Sequence, residues 1–219
     1  MKRILRRSLV TAAACIAALA AASCGPAKPH NTGVYLLLDT SGTYREELDK
    51  AKQIINFTLA RLDGLDTFAV ARIDTGSFSE QDIMAKVTLD DRPSAANQQK
   101  REFAQQINKF LDETPSSPYT DITGGLLQAV EFLNEKQPGR KTIFIFSDLK
   151  EDLQAGYVRD IEVPVDGFEI VALNVTKLRS DNVDPREYMT RLEEWKERVE
   201  AEGGTWRVIN DLDRLETLL

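Results

Sequence analysis

The sequence predicts one α/β domain: a mostly parallel central sheet with one antiparallel edge strand and helices on both faces. Two short, uninterrupted apolar runs, residues 34–38 and 142–146, are typical of strands that are buried on both faces of a sheet. Segments with the helical spacing of apolar residues separate the predicted strands. Strand and helix patterns alternate in this way through nearly the whole chain after residue 32, which indicates parallel strands joined by helical crossovers.

The first half of the domain contains three predicted strands and two predicted helices. Residues 34–38 form a buried strand, and in the helix predicted at 46–62 apolar residues recur every three or four positions. Residues 66–73 and 83–89 alternate between apolar and polar side chains, and we expect the second segment to pair with the first at the edge of the sheet. Residues 95–112 carry their apolar side chains on one helical face.

The second half of the domain begins with a helix at 121–135, whose apolar side chains also share one face. Continuous apolar runs at 142–146 and 168–175 predict two further parallel strands. Residues 185–202 have the pattern of a charged amphipathic helix, which we interpret as packing on the sheet rather than on a partner. A short strand and a closing helix are predicted last, at 206–209 and 212–219.

The first 32 residues have the pattern of an export signal followed by a tether. Four basic residues precede an apolar, alanine-rich stretch that is too short to span a membrane comfortably. The small residues before Cys24 resemble a bacterial lipobox, in which the cysteine is lipidated and becomes the new N-terminus. We therefore predict a lipoprotein signal at 1–23, a tether at 24–32 and the domain at 33–219. Lipid on Cys24 would hold the domain in the bacterial cell envelope, on the periplasmic side or the outer surface; the alternative is an ordinary secretory signal.

The composition argues against several classes of function. The chain has a formal net charge of −7, and four of its basic residues lie in 1–23, so the remainder carries −11. Nucleic acids and anionic lipid surfaces are bound by basic patches, which this acidic balance disfavours. The one histidine, His30, lies in the tether, so histidine-based catalysis and histidine-ligated zinc have almost no support. If Cys15 leaves with the signal and Cys24 carries lipid, the domain has no thiol for a disulfide.

Oxygen donors lie where the predicted strands end. Asp39-Thr40-Ser41-Gly42-Thr43 follows the first apolar run, and Asp148 follows the second central strand. Thr120 lies where a loop becomes a helix, and we expect it to be the N-cap. The carboxyl ends of parallel strands meet at one edge of a sheet, where open α/β sheets bind their ligands. Carboxylates and hydroxyls are hard oxygen donors suited to Mg²⁺, Mn²⁺ or Ca²⁺. The candidate metal ligands are Asp39, Ser41, Thr43, Thr120 and Asp148.

These five residues resemble the metal-ion-dependent adhesion site of the von Willebrand factor A domain. The pattern of that family is Asp-x-Ser-x-Ser, then a threonine on a later loop, then an aspartate that ends a strand. The resemblance covers residues 33–219 and implies a three-layer, Rossmann-like fold. Two positions depart from the family pattern: Thr43 replaces the usual second serine, and Leu149 follows Asp148 where family members often have glycine.

The resemblance also implies a function and a mechanism. Asp39 and Asp148 would hold a divalent cation directly or through water, and the three hydroxyls would add direct or water-mediated contacts. An acidic residue of a protein partner would complete the coordination, so the domain would be a binding module and not an enzyme. Family members also switch by moving the last helix, which in this chain would be 212–219.

Three alternatives stay open from the sequence. Haloacid dehalogenase-type phosphohydrolases also have a nucleophilic aspartate at the end of a first strand, where this chain has Asp39, but Ser41 stands where soluble members have a second acid. Residues 73–77 resemble the Asp-Thr-Gly-Ser of aspartic proteases, but those enzymes need two such aspartates. The third alternative is a structural or assembly lipoprotein whose metal site is vestigial.

Overall fold

Strands and helices alternate along the chain in the order that the sequence predicts. The computed structural model describes residues 30–41, 47–74, 76, 78–113, 116–156, 158–159, 161–178, 180–211, 215–216 and 218. Its strands are β1 (Thr32–Asp39), β2 (Thr67–Ile73), β3 (Ile83–Thr88), β4 (Arg140–Phe146), β5 (Phe168–Leu173) and β6 (Thr205–Ile209). Its helices are α1 (Leu48–Arg61), α2 (Pro93–Glu113), α3 (Ile122–Lys136) and α4 (Pro185–Ala201). Short 3₁₀ turns lie at Glu80–Asp82 and Ser180–Asn182.

Strand β1 lies inside the sheet and has parallel neighbours on both sides. The strand order is β3-β2-β1-β4-β5-β6. Leu38 of β1 pairs with Arg72 of β2 on one side and with Phe146 of β4 on the other. Strands β5 and β6 continue the parallel arrangement, and β3 pairs antiparallel with β2 at the edge. The predicted fold class is confirmed, including the antiparallel edge strand.

The helices cover both faces of the sheet because successive side chains of β1 point in opposite directions. Leu36 and Leu38 belong to one hydrophobic core, which also contains buried side chains of α1 and α2. Tyr35 and Leu37 belong to a second core, which contains buried side chains of α3 and α4. Gly125 lets α3 approach the sheet closely, since a Cβ atom at this position would lie 2.9 Å from Cδ2 of Leu37. The result is the three-layer arrangement that the resemblance implies.

The described residues between Asp148 and Phe168 form no helix. This segment instead runs beside the loop that carries Thr120, and the two are joined by an antiparallel bridge between Thr120 and Asp152. Of the predicted closing helix at 212–219 the structure describes only three residues, so that expectation lies largely outside the described part. Leu215 and Leu218 are buried in the first core.

None of the helices in the described ranges combines the length and the apolar character that a membrane span requires. The predicted signal at 1–23 and Cys24 lie outside the described residues, and both stay predictions.

Candidate metal centre

The carboxylate of Asp39 is held in place at the end of β1. Asp39 is only 1% exposed. One carboxylate oxygen accepts a hydrogen bond from the backbone N–H of Ser41 at 2.8 Å, and the other accepts one from the hydroxyl of Ser147, also at 2.8 Å. Ser147 directly follows β4, the neighbour of β1, so both donors come from the same edge of the sheet. An ionised carboxylate has about four lone-pair sites, so two are left for a further ligand.

Asp148 leaves the sheet beside Asp39, as the parallel pairing of their strands predicts. Asp148 is 4% exposed, and its Oδ1 accepts a hydrogen bond from the N–H of Lys150 at 2.9 Å. Burial raises the pKa of Asp148 above its ordinary value, and the neighbouring charge of Asp39 raises it further, whereas the Lys150 hydrogen bond lowers it. Two close carboxylates disfavour each other's ionised form, and a cation near both would favour it.

Thr120 is not the N-cap of α3, contrary to the expectation from the sequence. The N-cap is Asp121, whose side chain accepts a hydrogen bond from the N–H of Gly124 at 2.8 Å. Asp121 is 1% exposed and forms an ion pair with Arg159, with a closest contact of 2.7 Å. The backbone of Thr120 is held on its other side by two hydrogen bonds with Asp152, of 2.8 and 3.0 Å. Because Asp121 caps the helix, the Thr120 hydroxyl does not have to.

Three of the five predicted ligands line one cleft at the carboxyl edge of the sheet. The cleft has a volume of about 490 Å³. Its lining residues are Ser41, Ser116, Ser117, Pro118, Thr120, Asp148, Lys150, Asp152 and Leu178. Asp39 does not line the cleft but is hydrogen-bonded to Ser41, which does. Thr43 and Cys24 lie outside the described residues. The structure therefore brings together Ser41, Thr120 and Asp148 with Asp39 adjacent.

The donor set fits a hard cation that takes part of its coordination from hydroxyls and water. In the part of the chain that the structure describes, no three His, Cys, Asp or Glu side chains form a group that could hold a metal ion. A site here must then rely on the two carboxylates of Asp39 and Asp148 and on neutral oxygens, which Mg²⁺ and Mn²⁺ accept. Asp152 also lines the cleft, so its wall contains two aspartates, Asp148 and Asp152.

The loop after Asp148 has a backbone conformation that favours glycine, although the residue there is Leu149. Leu149 has φ = 66°, in the left-handed region that favours glycine. A non-glycine residue there costs about 1–2 kcal/mol. Contacts offset that cost, since Leu149 is 1% exposed in the second core and its N–H donates to the Ser147 hydroxyl at 3.1 Å. The left-handed turn is thus present with leucine in place of glycine.

The sequence pattern missed the residues that support this loop from α4. Arg191 donates from Nε to the backbone carbonyl of Asp148 at 2.8 Å, and Trp195 donates from Nε1 to the carbonyl of Leu149 at 2.9 Å. These contacts join residues 43 and 46 positions apart. The helical spacing of Arg191 and Trp195 could have indicated a shared face, but nothing in the sequence indicates their partners.

The geometry gives little support to the enzyme alternatives. A nucleophilic aspartate must reach a substrate, whereas Asp39 is 1% exposed and both of its oxygens accept hydrogen bonds within the protein. Asp74, the aspartate of the protease-like segment, is paired with Arg72 at 3.1 Å and accepts a hydrogen bond from Ser117 at 2.6 Å. These contacts give Asp74 a structural role, in which it fixes the Ser117 loop at the cleft.

Comparison with solved structures identifies proteins with a similar fold. A von Willebrand factor type A protein from Catenulispora acidiphila matches 85% of this chain with 15% identity and a TM-score of 0.51. The pilus adhesin SpaC from Lactobacillus rhamnosus GG, in an open conformation, matches 89% of this chain with 14% identity and a TM-score of 0.54. This chain spans 40% and 29% of those two chains. An aerotolerance-related membrane protein from Bacteroides fragilis matches 83% of this chain with 12% identity and a TM-score of 0.46, over 92% of its own length.

Comparisons based on sequence identified no relatives of this chain. No protein-family model matches the chain. A search of curated protein sequences also returned no match. The structural likeness rests on the first two proteins described above, and at 14–15% identity it concerns the fold alone. With its six-stranded mixed sheet, its helices on both faces and its polar cleft at the carboxyl edge, this chain has the fold of a von Willebrand factor A domain.

Proposed function

We propose that this chain is an exported, membrane-anchored binding domain that coordinates a divalent cation and engages a protein partner through it. One observation carries the proposal: Ser41, Thr120 and Asp148 reach the same cleft from three separate loops. Asp39 is linked to that cleft through its hydrogen bond with Ser41. The match with an A-type fold supports a binding role, because one of the similar proteins is an adhesin.

The residues around the cleft have distinct roles in this proposal. Asp39 and Asp148 supply the negative charge that attracts the cation, directly or through water. The hydroxyls of Ser41, Thr43 and Thr120 supply neutral oxygen ligands, which add no negative charge to that of the two carboxylates. The cation, Mg²⁺, Mn²⁺ or Ca²⁺, supplies a coordination position for an acidic side chain of the partner. Binding at this cleft would therefore require both the metal and an acidic partner residue.

The anchor is the second part of the proposal. Lipid on Cys24 would tether the domain to a membrane of the bacterial cell envelope, with the tether 24–32 between lipid and fold. Expression of the full chain with a Cys24→Ala variant tests this point. We expect the wild-type chain to incorporate labelled palmitate and to sediment with membranes, and the variant to do neither.

Metal binding is tested by calorimetry on the purified full-length chain. We expect Mn²⁺ or Mg²⁺ to release or absorb heat and to raise the melting temperature of the wild-type protein, and Asp39→Ala to abolish both effects. Asp49→Ala is the matched control, because Asp49 is an exposed aspartate of α1 outside the cleft. The proposal is wrong if the wild-type chain and Asp39→Ala respond to the metal identically.

Partner binding and catalysis need separate measurements. The immobilised chain should capture a partner from solubilised membranes in the presence of Mg²⁺, and both excess chelator and Asp39→Ala should release it. Capture that survives chelator and Asp39→Ala would support the structural role with a vestigial site. Phosphatase activity that disappears in Asp39→Asn would support the phosphohydrolase alternative instead.

A further inference from the structure

The guanidinium group of Arg191 is linked to two segments that line the cleft. Arg191 of α4 donates from Nε to the carbonyl of Asp148 at 2.8 Å, and Asp148 lines the cleft. The same side chain pairs with Asp181 through two contacts, Nη1 to Oδ1 at 3.3 Å and Nη2 to Oδ2 at 2.9 Å. Asp181 in turn accepts a hydrogen bond from the N–H of Leu178 at 2.7 Å, and Leu178 also lines the cleft.

This arrangement is buried and therefore holds its geometry firmly. The side chain of Asp181 is fully buried, and that of Arg191 is 12% exposed. Charge-assisted hydrogen bonds between a planar guanidinium and a carboxylate are directional and strong when water is excluded. Breaking such a pair by removing one partner leaves an uncompensated buried charge. Arg191 on α4 therefore links the Asp148 loop and the Leu178 loop through largely buried contacts.

Trp195 adds a second contact between the same helix and the same loop. Its indole N–H donates to the carbonyl of Leu149 at 2.9 Å, and the side chain is 6% exposed. Leu149 has the left-handed backbone described above, a conformation that persists only where surrounding contacts maintain it. Helix α4 thus holds two consecutive carbonyls, one on the candidate metal ligand itself.

We propose that Arg191 is a positioning residue of the cation site and that α4 and the site are coupled, so that cation binding and the docking of α4 stabilise each other. This inference rests on the proposed function. Coupling between two sites is reciprocal, so a contact that favours the metal-binding arrangement must be favoured by the metal in return. Mutation of residues that hydrogen-bond to metal ligands without contacting the metal typically lowers metal affinity by about 10- to 100-fold.

The first test compares Mn²⁺ binding by full-length Arg191→Gln with that of wild type. We expect about a tenfold or greater loss of affinity. Arg186→Gln is the matched control, an arginine of the same helix whose side chain is 89% exposed and pairs only with Asp184 among the described residues. The control should bind Mn²⁺ as wild type does, since the described contacts of the Arg186 side chain include neither Asp148 nor Leu149. Wild-type affinity in a folded Arg191→Gln variant would overturn the inference.

The second test uses the wild-type fold and does not depend on the arginine variant. Hydrogen exchange of the α4 amides should slow when Mg²⁺ is added to the wild-type chain, and should not change in Asp39→Ala. Trp195→Phe, which removes only the indole donor and part of the ring system, should also weaken Mn²⁺ binding. Exchange in α4 that is unaffected by Mg²⁺, in a wild-type chain that binds the ion, would refute the coupling while leaving the proposed function intact. If the wild-type chain binds neither ion, the proposed function itself fails, and this inference with it.

Discussion

The buried ion pair beside the cleft yields a quantitative prediction for Asp121. The side chain of Asp121 caps α3 through Gly124 and pairs with Arg159. Loss of an N-cap costs about 1 kcal/mol. Loss of one partner of a buried pair costs about 3–5 kcal/mol, and the lower end applies here because the Arg159 side chain is 18% exposed and can reach water. We therefore expect Asp121→Ala to lower the free energy of unfolding by about 4 kcal/mol, which is about 10 °C in melting temperature for a domain of this size.

A second substitution at the same position separates the two contributions. Asparagine is as good an N-cap as aspartate, so Asp121→Asn should lose the ion pair only and cost about 3 kcal/mol. Urea unfolding followed by circular dichroism measures both variants. Asp184→Ala is the matched control, because Asp184 also caps a helix and pairs with an arginine, but at an exposed site. If Asp121→Ala were no more destabilising than Asp184→Ala, the reasoning from burial would be refuted.

Three further predictions concern single residues near the cleft: Asp148, Asp181 and Gly124. Asp148→Asn should abolish Mn²⁺ binding. It should leave the cation-free protein at least as stable as wild type at neutral pH, because burial and the charge of Asp39 raise the pKa of Asp148 and make its ionised form costly. Calorimetry in chelator measures this stability, and a marked loss would contradict the prediction. In the wild type, ionising the buried Asp148 costs stability. This cost is absent below the ordinary pKa of 3.8 and develops as the pH rises through the raised pKa of Asp148 in the folded protein. The Arg191 hydrogen bond lowers the pKa of Asp181. The stabilisation from this pair is therefore present above pH 3.8 and is lost as the pH falls through the lowered pKa of Asp181 in the folded protein. Asp181→Asn should reduce the fall in melting temperature at acidic pH. Gly124→Ala should destabilise by about 2 kcal/mol, since the new Cβ would lie 2.5 Å from Oδ2 of Asp121, and a gain in stability would show that the cap can move aside.

The sheet could be predicted well because its signals are local. The uninterrupted apolar run of β1 and that of β4 each indicated a strand buried on both faces, and both strands are central and parallel. The alternation in β3 indicated a strand at the edge, where one face is solvated. The apolar runs did not show that the two strands are neighbours; the structure pairs β1 with β4, which is the condition under which Asp39 and Asp148 leave the sheet at the same edge.

The loops were harder to predict because several residues suit each position. Thr120 and Asp121 are both good N-caps, and Asp121, which forms the cap, also pairs with Arg159, 38 positions away in the sequence. A leucine in a sequence does not indicate a left-handed turn, so the turn at Leu149 could not be predicted. This turn is contacted by α4 through Arg191 and Trp195, which are 43 and 46 positions away from their partners in the sequence.

The direction of β1 determines where the tether enters the sheet relative to the cleft. Its first residue, Thr32, directly follows the tether, and its last residue, Asp39, is at the candidate metal site. Seven residue steps of extended chain separate the two ends by about 23 Å. Thr32, where the chain enters the sheet, therefore lies at the opposite end of β1 from the cleft. Immobilisation through residues before 32 therefore attaches the described domain at the end of β1 that is remote from the candidate metal site.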